Sequence, residues 1–134
     1  MVEMTLSKII INETTDQQVI VLQEADGERS FPIMIGVMEA LAIRRGVRGE
    51  TYPRPLTHDL LGSVIGALGD GLDHVAITEL KDHTFYAKLV IRRGDDLVEV
   101  DARPSDSIAL AVAAKSPIRC AESVLDQVCR QDPT

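Results

Sequence analysis

The order of predicted elements indicates a domain in which groups of antiparallel strands are separated by helices. Two hairpin signals open the chain, because β-branched runs flank a polar loop at 12–16 and a tight turn at Asp26-Gly27. A three-stranded meander is predicted in the middle of the chain, and segments with helical spacing follow both groups of strands. At 134 residues the chain is long enough for one domain with a substantial core.

The first strands are predicted at 4–11, 18–25 and 29–35. Pro32 should confine the third of them to a sheet edge or a bulge, because proline cannot donate a ladder hydrogen bond. The first two strands carry Ile and Val on both faces. Since a strand with two apolar faces must be covered on both, we expect the protein to form a dimer or a larger homo-oligomer.

The helices are predicted from apolar spacing and from their caps. A helix beginning at Val37 is expected to stop at Gly46, and the non-periodic stretch 46–55 is predicted to be a mobile loop. A second helix is predicted at 57–68, with Thr57 as its N-cap. The remaining elements are predicted as strands at 72–80, 84–93 and 97–101, a buried helix at 104–114, a short strand at 118–121 and a helix at 122–129. We expect one domain over 1–129 and a loose tail at 130–134.

Charge limits the ways in which this chain can bind nucleic acid. Its formal net charge of −7 repels phosphates, whereas nonspecific binding depends on Lys and Arg neutralising them. A local basic patch would therefore be needed, and the candidate is the group Arg44, Arg45, Arg48 and Arg54, with Glu50 among them. The alternative interpretation is a solvated helix end followed by an exposed loop.

Cysteine usage and the length of apolar runs indicate an intracellular protein. Cys120 and Cys129 have no metal-binding spacing, and a lone pair without a secretory signal indicates reduced thiols. The longest apolar run, 108–114, is far shorter than the roughly 20 residues that a membrane span needs. We expect a cytoplasmic protein with no membrane-spanning segment.

Two short polar blocks, each immediately before an apolar helix, contain the candidate site residues. The first block contains His58 and Asp59, and the second contains Asp101, Arg103 and Asp106. Carboxylates at such junctions supply the hard oxygen ligands that Mg²⁺ and Mn²⁺ prefer, while His or Arg handles a phosphate. This combination suits metal-assisted phosphodiester hydrolysis. Helix capping explains the same residue types, so residue types alone leave both interpretations open.

Arg103 distinguishes a structural role from a functional one. Apolar residues flank its turn on both sides, which predicts a buried arginine paired with Asp101 or another carboxylate. The alternative is an exposed arginine that clamps a phosphate at an open cleft.

Common catalytic motifs are absent from the sequence: it has no glycine-rich phosphate loop, paired-histidine helix motif, cysteine-pair zinc spacing or nucleophile elbow. Three separated blocks instead resemble, in order, the bifunctional nuclease domain family, long catalogued as a domain of unknown function. These blocks are RPLTHDLL at 54–61, TFYA at 84–87 and DARPSDSIALA at 101–111. The passage FPIMIG at 31–36, followed by Glu39-Ala40, is also similar, and the resemblance extends from the first hairpin to about Leu125.

The resemblance implies an α+β fold around a mixed, largely antiparallel sheet, here of about six or seven strands packed with three or four helices. It also implies frequent homo-oligomers and, as in plant relatives, activity on DNA and RNA.

The hypothesis that follows is a metal-dependent nuclease. Asp101 and Asp106, with Asp59 or Glu39, would hold Mg²⁺ or Mn²⁺, His58 would be the general acid or base, and Arg103 or Arg54 would clamp the phosphate. The competing hypothesis is a noncatalytic oligomeric module that binds proteins and uses the same residues for capping and charge pairing.

Overall fold

Seven strands and four helices form the described part of this computed structural model, residues 1–12 and 14–129. The strands are β1 (Val2–Ile10), β2 (Gln17–Glu24), β3 (Ser30–Gly36), β4 (Leu72–Lys81), β5 (Thr84–Arg93), β6 (Asp96–Ala102) and β7 (Ile118–Cys120). The helices are α1 (Val37–Arg48), α2 (Thr57–Leu68), α3 (Pro104–Ala114) and α4 (Glu122–Val128). This confirms the predicted α+β class, while the predicted tail at 130–134 lies outside the described residues.

All seven described strands form one sheet, in the order β3-β2-β1-β7-β4-β5-β6. Neighbouring strands are antiparallel except β4 and β7, so the sheet is mixed and largely antiparallel, as predicted. The short strand β7 lies between the two groups of strands and joins them into one sheet. Strand β3 lies at an edge, which confirms the position predicted from Pro32.

The core lies on one face of the sheet. Cross-strand partners share a face, and the buried partners include Leu22 with Phe31 and Ile77 with Ala87. The helices contribute to the same buried cluster, with Ile43 of α1 fully buried. The opposite face is more open at β1 to β3, where 51% of Ile10 and 61% of Met34 is exposed.

Helix α1 continues beyond its predicted end at Gly46. Gly46 lies against α3, where an added Cβ would come within 3.3 Å of the Cγ1 atom of Val112. The glycine therefore allows α1 and α3 to approach each other closely. The helix ends at Arg48, and Gly49 takes the left-handed conformation (φ 64°) that terminates many helices. The prediction was wrong because glycine between packed helices and glycine after a helix look alike in sequence.

No helix within the described ranges combines the length and apolarity needed to cross a bilayer.

Candidate active site

Four polar side chains from the starts of α1, α2 and α3 form one hydrogen-bonded chain, which we call the Arg103 cluster. Arg103 donates from Nη1 to Oε1 of Glu39 at 3.0 Å and from Nε to Oδ2 of Asp106 at 2.9 Å. His58 Nε2 lies 2.9 Å from Oδ1 of Asp106. The two polar blocks of the sequence therefore meet in space, and Glu39 of α1 joins them.

Arg103 itself is largely exposed. Its side chain keeps 65% of its surface accessible, whereas Glu39 and Asp106 keep 18% and 26%. The predicted burial of Arg103 is thus wrong, and its partners are Glu39 and Asp106 rather than Asp101. The apolar neighbours that suggested burial do turn inward, because Pro104 is buried, while Arg103 at the junction extends outward.

The environment of Asp106 fixes its charge and the orientation of His58. Burial raises the pKa of Asp106, but hydrogen bonds from Arg103 and His58 outweigh this effect and hold the pKa below its usual value. The hydrogen bond to Asp106 likewise raises the pKa of Arg103. Since an ionised carboxylate can only accept, His58 Nε2 carries a hydrogen. In the neutral ring the lone pair is then on Nδ1.

The Arg103 cluster lines a cavity of about 690 Å³ between α1, α2 and α3, which we call the central cavity. Arg45 of α1 lines the same cavity. Within the described residues Arg45 makes no ion pair, whereas Arg103 is engaged by two carboxylates. Arg45 is therefore the cation in this cavity that remains available to a ligand.

The other predicted basic residues differ in their surroundings. Arg48 lies 3.7 Å from Glu50, so its charge is partly offset. Of the predicted group Arg44, Arg45, Arg48 and Arg54, only Arg45 lines the central cavity.

Asp101 is not brought together with the other predicted site residues. It pairs in register with Lys88, and cross-strand partners share a face of the sheet. The neighbouring pair, Ala87 and Ala102, faces the core beneath the helices. Asp101 therefore lies on the opposite face from α3 and Asp106.

Capping accounts for Asp59 but not for Asp106. The Asp59 carboxylate accepts a hydrogen bond from the backbone N–H of Leu56 at 2.9 Å, as a first-turn residue that caps α2 does. The hydrogen bonds of Asp106 go to Arg103 and His58. Helix α3 begins without a side-chain cap.

Glu39 and Asp106 are the carboxylates of the central cavity suited to a divalent metal. Within the described residues no group of three or more His, Cys, Asp or Glu side chains is arranged to hold a metal ion. Mg²⁺, however, is often held by one or two carboxylates together with water and substrate phosphate. Both carboxylates are paired with the Arg103 guanidinium. Because a carboxylate has about four lone-pair sites, these hydrogen bonds still leave oxygen donors on Glu39 and Asp106 that such an ion would use.

Tyr52 was missed as a site residue. It lines a smaller cavity of about 210 Å³ together with Arg45, His58 and Asp59. The Arg45 guanidinium carbon lies 5.8 Å from the centre of the Tyr52 ring. The available signal was an aromatic residue within a non-periodic, arginine-rich loop.

The pKa of Asp106 leads to a prediction about stability. A lowered carboxyl pKa stabilises the fold above the unfolded-state value of about 3.9, and this stabilisation is lost as pH falls through the lower folded-state pKa. We expect Asp106→Asn to lower the free energy of unfolding by about 1–2 kcal/mol at neutral pH and to differ progressively less from wild type in acid. Urea unfolding as a function of pH measures this difference.

Asp101→Asn is the control and should stay within about 0.5 kcal/mol of wild type. An Asp106→Asn deficit that is unchanged well below both pKa values would contradict the assignment.

Comparison with known proteins agrees with the family suggested by the sequence. The family model described as the bifunctional nuclease domain matches residues 20–132. An uncharacterized protein of Mycobacterium tuberculosis is 44% identical over 93% of this chain and 74% of its own length. Bifunctional nuclease 2 of Oryza sativa subsp. japonica is 30% identical over 85% of this chain and 36% of its own length. Bifunctional nuclease 2 of Arabidopsis thaliana is 29% identical over 75% of this chain and 32% of its own length. The chain belongs to the bifunctional nuclease domain family.

Proposed function

We propose that this protein is a nuclease that hydrolyses phosphodiester bonds of DNA and RNA in the central cavity. The observation that carries the proposal is the pairing of His58 with Asp106 in an open cavity that Arg45 also lines. The names of the plant relatives support the same reaction class. We place this activity in the cytoplasm, which the free thiols of Cys120 and Cys129 support.

In this proposal His58 is the general base. Asp106 orients the imidazole through Nε2, so that Nδ1 takes a proton from the attacking water as the water oxygen bonds to phosphorus. The ester P–O bond breaks, and the leaving oxygen takes a proton from solvent. Arg45 stabilises the negative charge that develops on the phosphate, because its own charge is not committed to a carboxylate. Arg103 positions Asp106 and Glu39 and thus acts through them.

A divalent cation, Mg²⁺ or Mn²⁺, is part of the proposal. Glu39 and Asp106 would hold it, while Asp101 on the other face of the sheet would not. When bound, the cation supplies Lewis-acid polarisation of the phosphate and lowers the pKa of a coordinated water.

A second candidate function is a noncatalytic oligomeric module. The observation in its favour is that Arg103 is satisfied by two carboxylates, as an ion-pair brace between α1 and α3 would be. The net charge of −7 also suits protein partners better than phosphates. Cleavage distinguishes the two candidates directly.

The nuclease proposal predicts metal-dependent cleavage that requires His58. Purified protein should degrade single-stranded DNA and RNA with added Mg²⁺ or Mn²⁺ and lose this activity in chelator. His58→Asn should slow cleavage by about 10²–10⁴-fold, the usual contribution of a general base. Fluorescent oligonucleotides resolved on denaturing gels measure the rate.

His74→Asn is the matched control, because His74 forms a similar pair with Asp73, at 2.7 Å, outside the central cavity. It should cleave at the wild-type rate. No cleavage with either metal, or cleavage that survives both chelation and Asp106→Asn, would contradict the proposal.

We also propose that the protein is a homo-oligomer whose copies meet through α2. Only Ile65 of α2 is buried, and apolar side chains are exposed along one stripe, at Leu60, Val64 and Leu68. No residue from 60 to 69 is charged, so two copies can approach here despite the net charge of −7.

Light scattering tests this interface. Wild type should have at least twice the 14.6 kDa mass of one chain, and Val64→Lys should reduce it to one chain. Met34→Lys, at an exposed position on the other face of the sheet, should leave the mass unchanged. A wild-type mass equal to that of one chain would contradict the proposed oligomer. Dissociation by Met34→Lys but not by Val64→Lys would show that the interface lies on β1 to β3 instead of α2.

A further inference from the structure

We propose that Tyr52 is a stacking platform for an unpaired nucleobase next to the phosphate that is cleaved. This inference rests on the proposed nuclease function and deepens it, because it makes single-stranded nucleic acid the substrate class. Tyr52 lies in the loop between α1 and α2, and its cavity is also lined by His58 of the Arg103 cluster.

The geometry of Tyr52 suits stacking. The Arg45 guanidinium lies over its ring, and 48% of Tyr52 remains exposed. A cation over one face of an aromatic ring holds the ring in place and leaves the second face for another flat group. An anchoring tyrosine of a loop would instead be buried.

Three neighbouring cavities share lining residues around this position, and we infer that together they form one groove. Glu39 and Arg103 line both the central cavity and a cavity of about 610 Å³ that reaches His83 at the β4–β5 turn. Arg45 and His58 line both the central cavity and the 210 Å³ cavity of Tyr52. A phosphate beside His58 therefore has an aromatic platform on one side and further space on the other. A nucleic-acid strand follows such a groove one nucleotide after another.

The charge of the protein explains why an aromatic platform is needed. With a net charge of −7, phosphate contacts alone give little affinity, because binding through phosphates draws on basic groups. Stacking of a base on an aromatic side chain contributes about 1–3 kcal/mol and does not depend on charge. A base inside a duplex has both faces covered by its neighbours, so only an unpaired base can use Tyr52.

Binding of an uncleavable oligonucleotide tests this role without requiring catalysis. The probes are a fluorescein-labelled, phosphorothioate single-stranded 12-mer and the same strand with one abasic position, measured by anisotropy in the presence of Mg²⁺. We expect Tyr52→Ala to weaken binding of the intact strand by roughly 5- to 150-fold, which corresponds to about 1–3 kcal/mol at about 1.4 kcal/mol per tenfold. Tyr52→Phe, which keeps the ring, should bind within about threefold of wild type.

Tyr86→Ala is the matched control, since Tyr86 is similarly exposed (42%) but lies on β5, and it should bind as wild type does. The inference is overturned if Tyr52→Ala binds like wild type, if Tyr52→Phe is equally weakened, or if wild type does not bind the single strand. A smaller effect of Tyr52→Ala on the abasic strand than on the intact strand supports the inference.

Cleavage is measured separately from binding. Binding that depends on Tyr52 without cleavage would reject the nuclease and keep the platform, whereas cleavage with unchanged Tyr52→Ala binding would do the opposite.

Discussion

The bridge that Arg103 makes between Glu39 and Asp106 holds the candidate site together. The guanidinium of Arg103 donates hydrogen bonds to Glu39 of α1 and Asp106 of α3. Asp106 is also hydrogen-bonded to His58 and so holds this ring in place at the start of α2. Without this cation, two carboxylates of low exposure would face the same cavity in a protein that is already acidic. Close packing of α1 against α3 behind the site depends on the small residue at Gly46.

Arg103 and Arg45 have different roles in the cleft. Arg103 is committed to carboxylates and organises the site, while Arg45 has no carboxylate partner within the described residues and is free to meet phosphate. A single uncommitted arginine is a weak attraction for a polyanion. The proposed nuclease function therefore needs interactions that do not depend on charge, a role that we assign to the exposed Tyr52 at the edge of the cleft.

Much of the fold followed from the sequence, because strand alternation, hairpin turns and helix spacing are local signals. The sequence also indicated the face of the sheet on which Asp101 lies. Val98 and Val100 alternate with Asp101 along the strand, so Asp101 lies on the face opposite to these two valines. The exposure of Arg103 could not be predicted from the sequence, because its apolar neighbours are buried while the arginine side chain points outward. Neither the contact of Gly46 with α3 nor the place of Tyr52 beside His58 is encoded locally, because both depend on how distant helices pack.

We propose that the Arg103 cluster takes part in catalysis and does not serve only to hold α1 and α3 together. The most direct measurement is the free energy of unfolding and the cleavage rate of Arg103→Ala, taken on the same preparation. The exposure of Arg103 predicts a stability loss of about 1 kcal/mol or less, together with a fall in cleavage of at least about tenfold as Asp106 and His58 lose their positioning. A stability loss of about 3–5 kcal/mol, with the folded fraction cleaving at the wild-type rate, would contradict the claim.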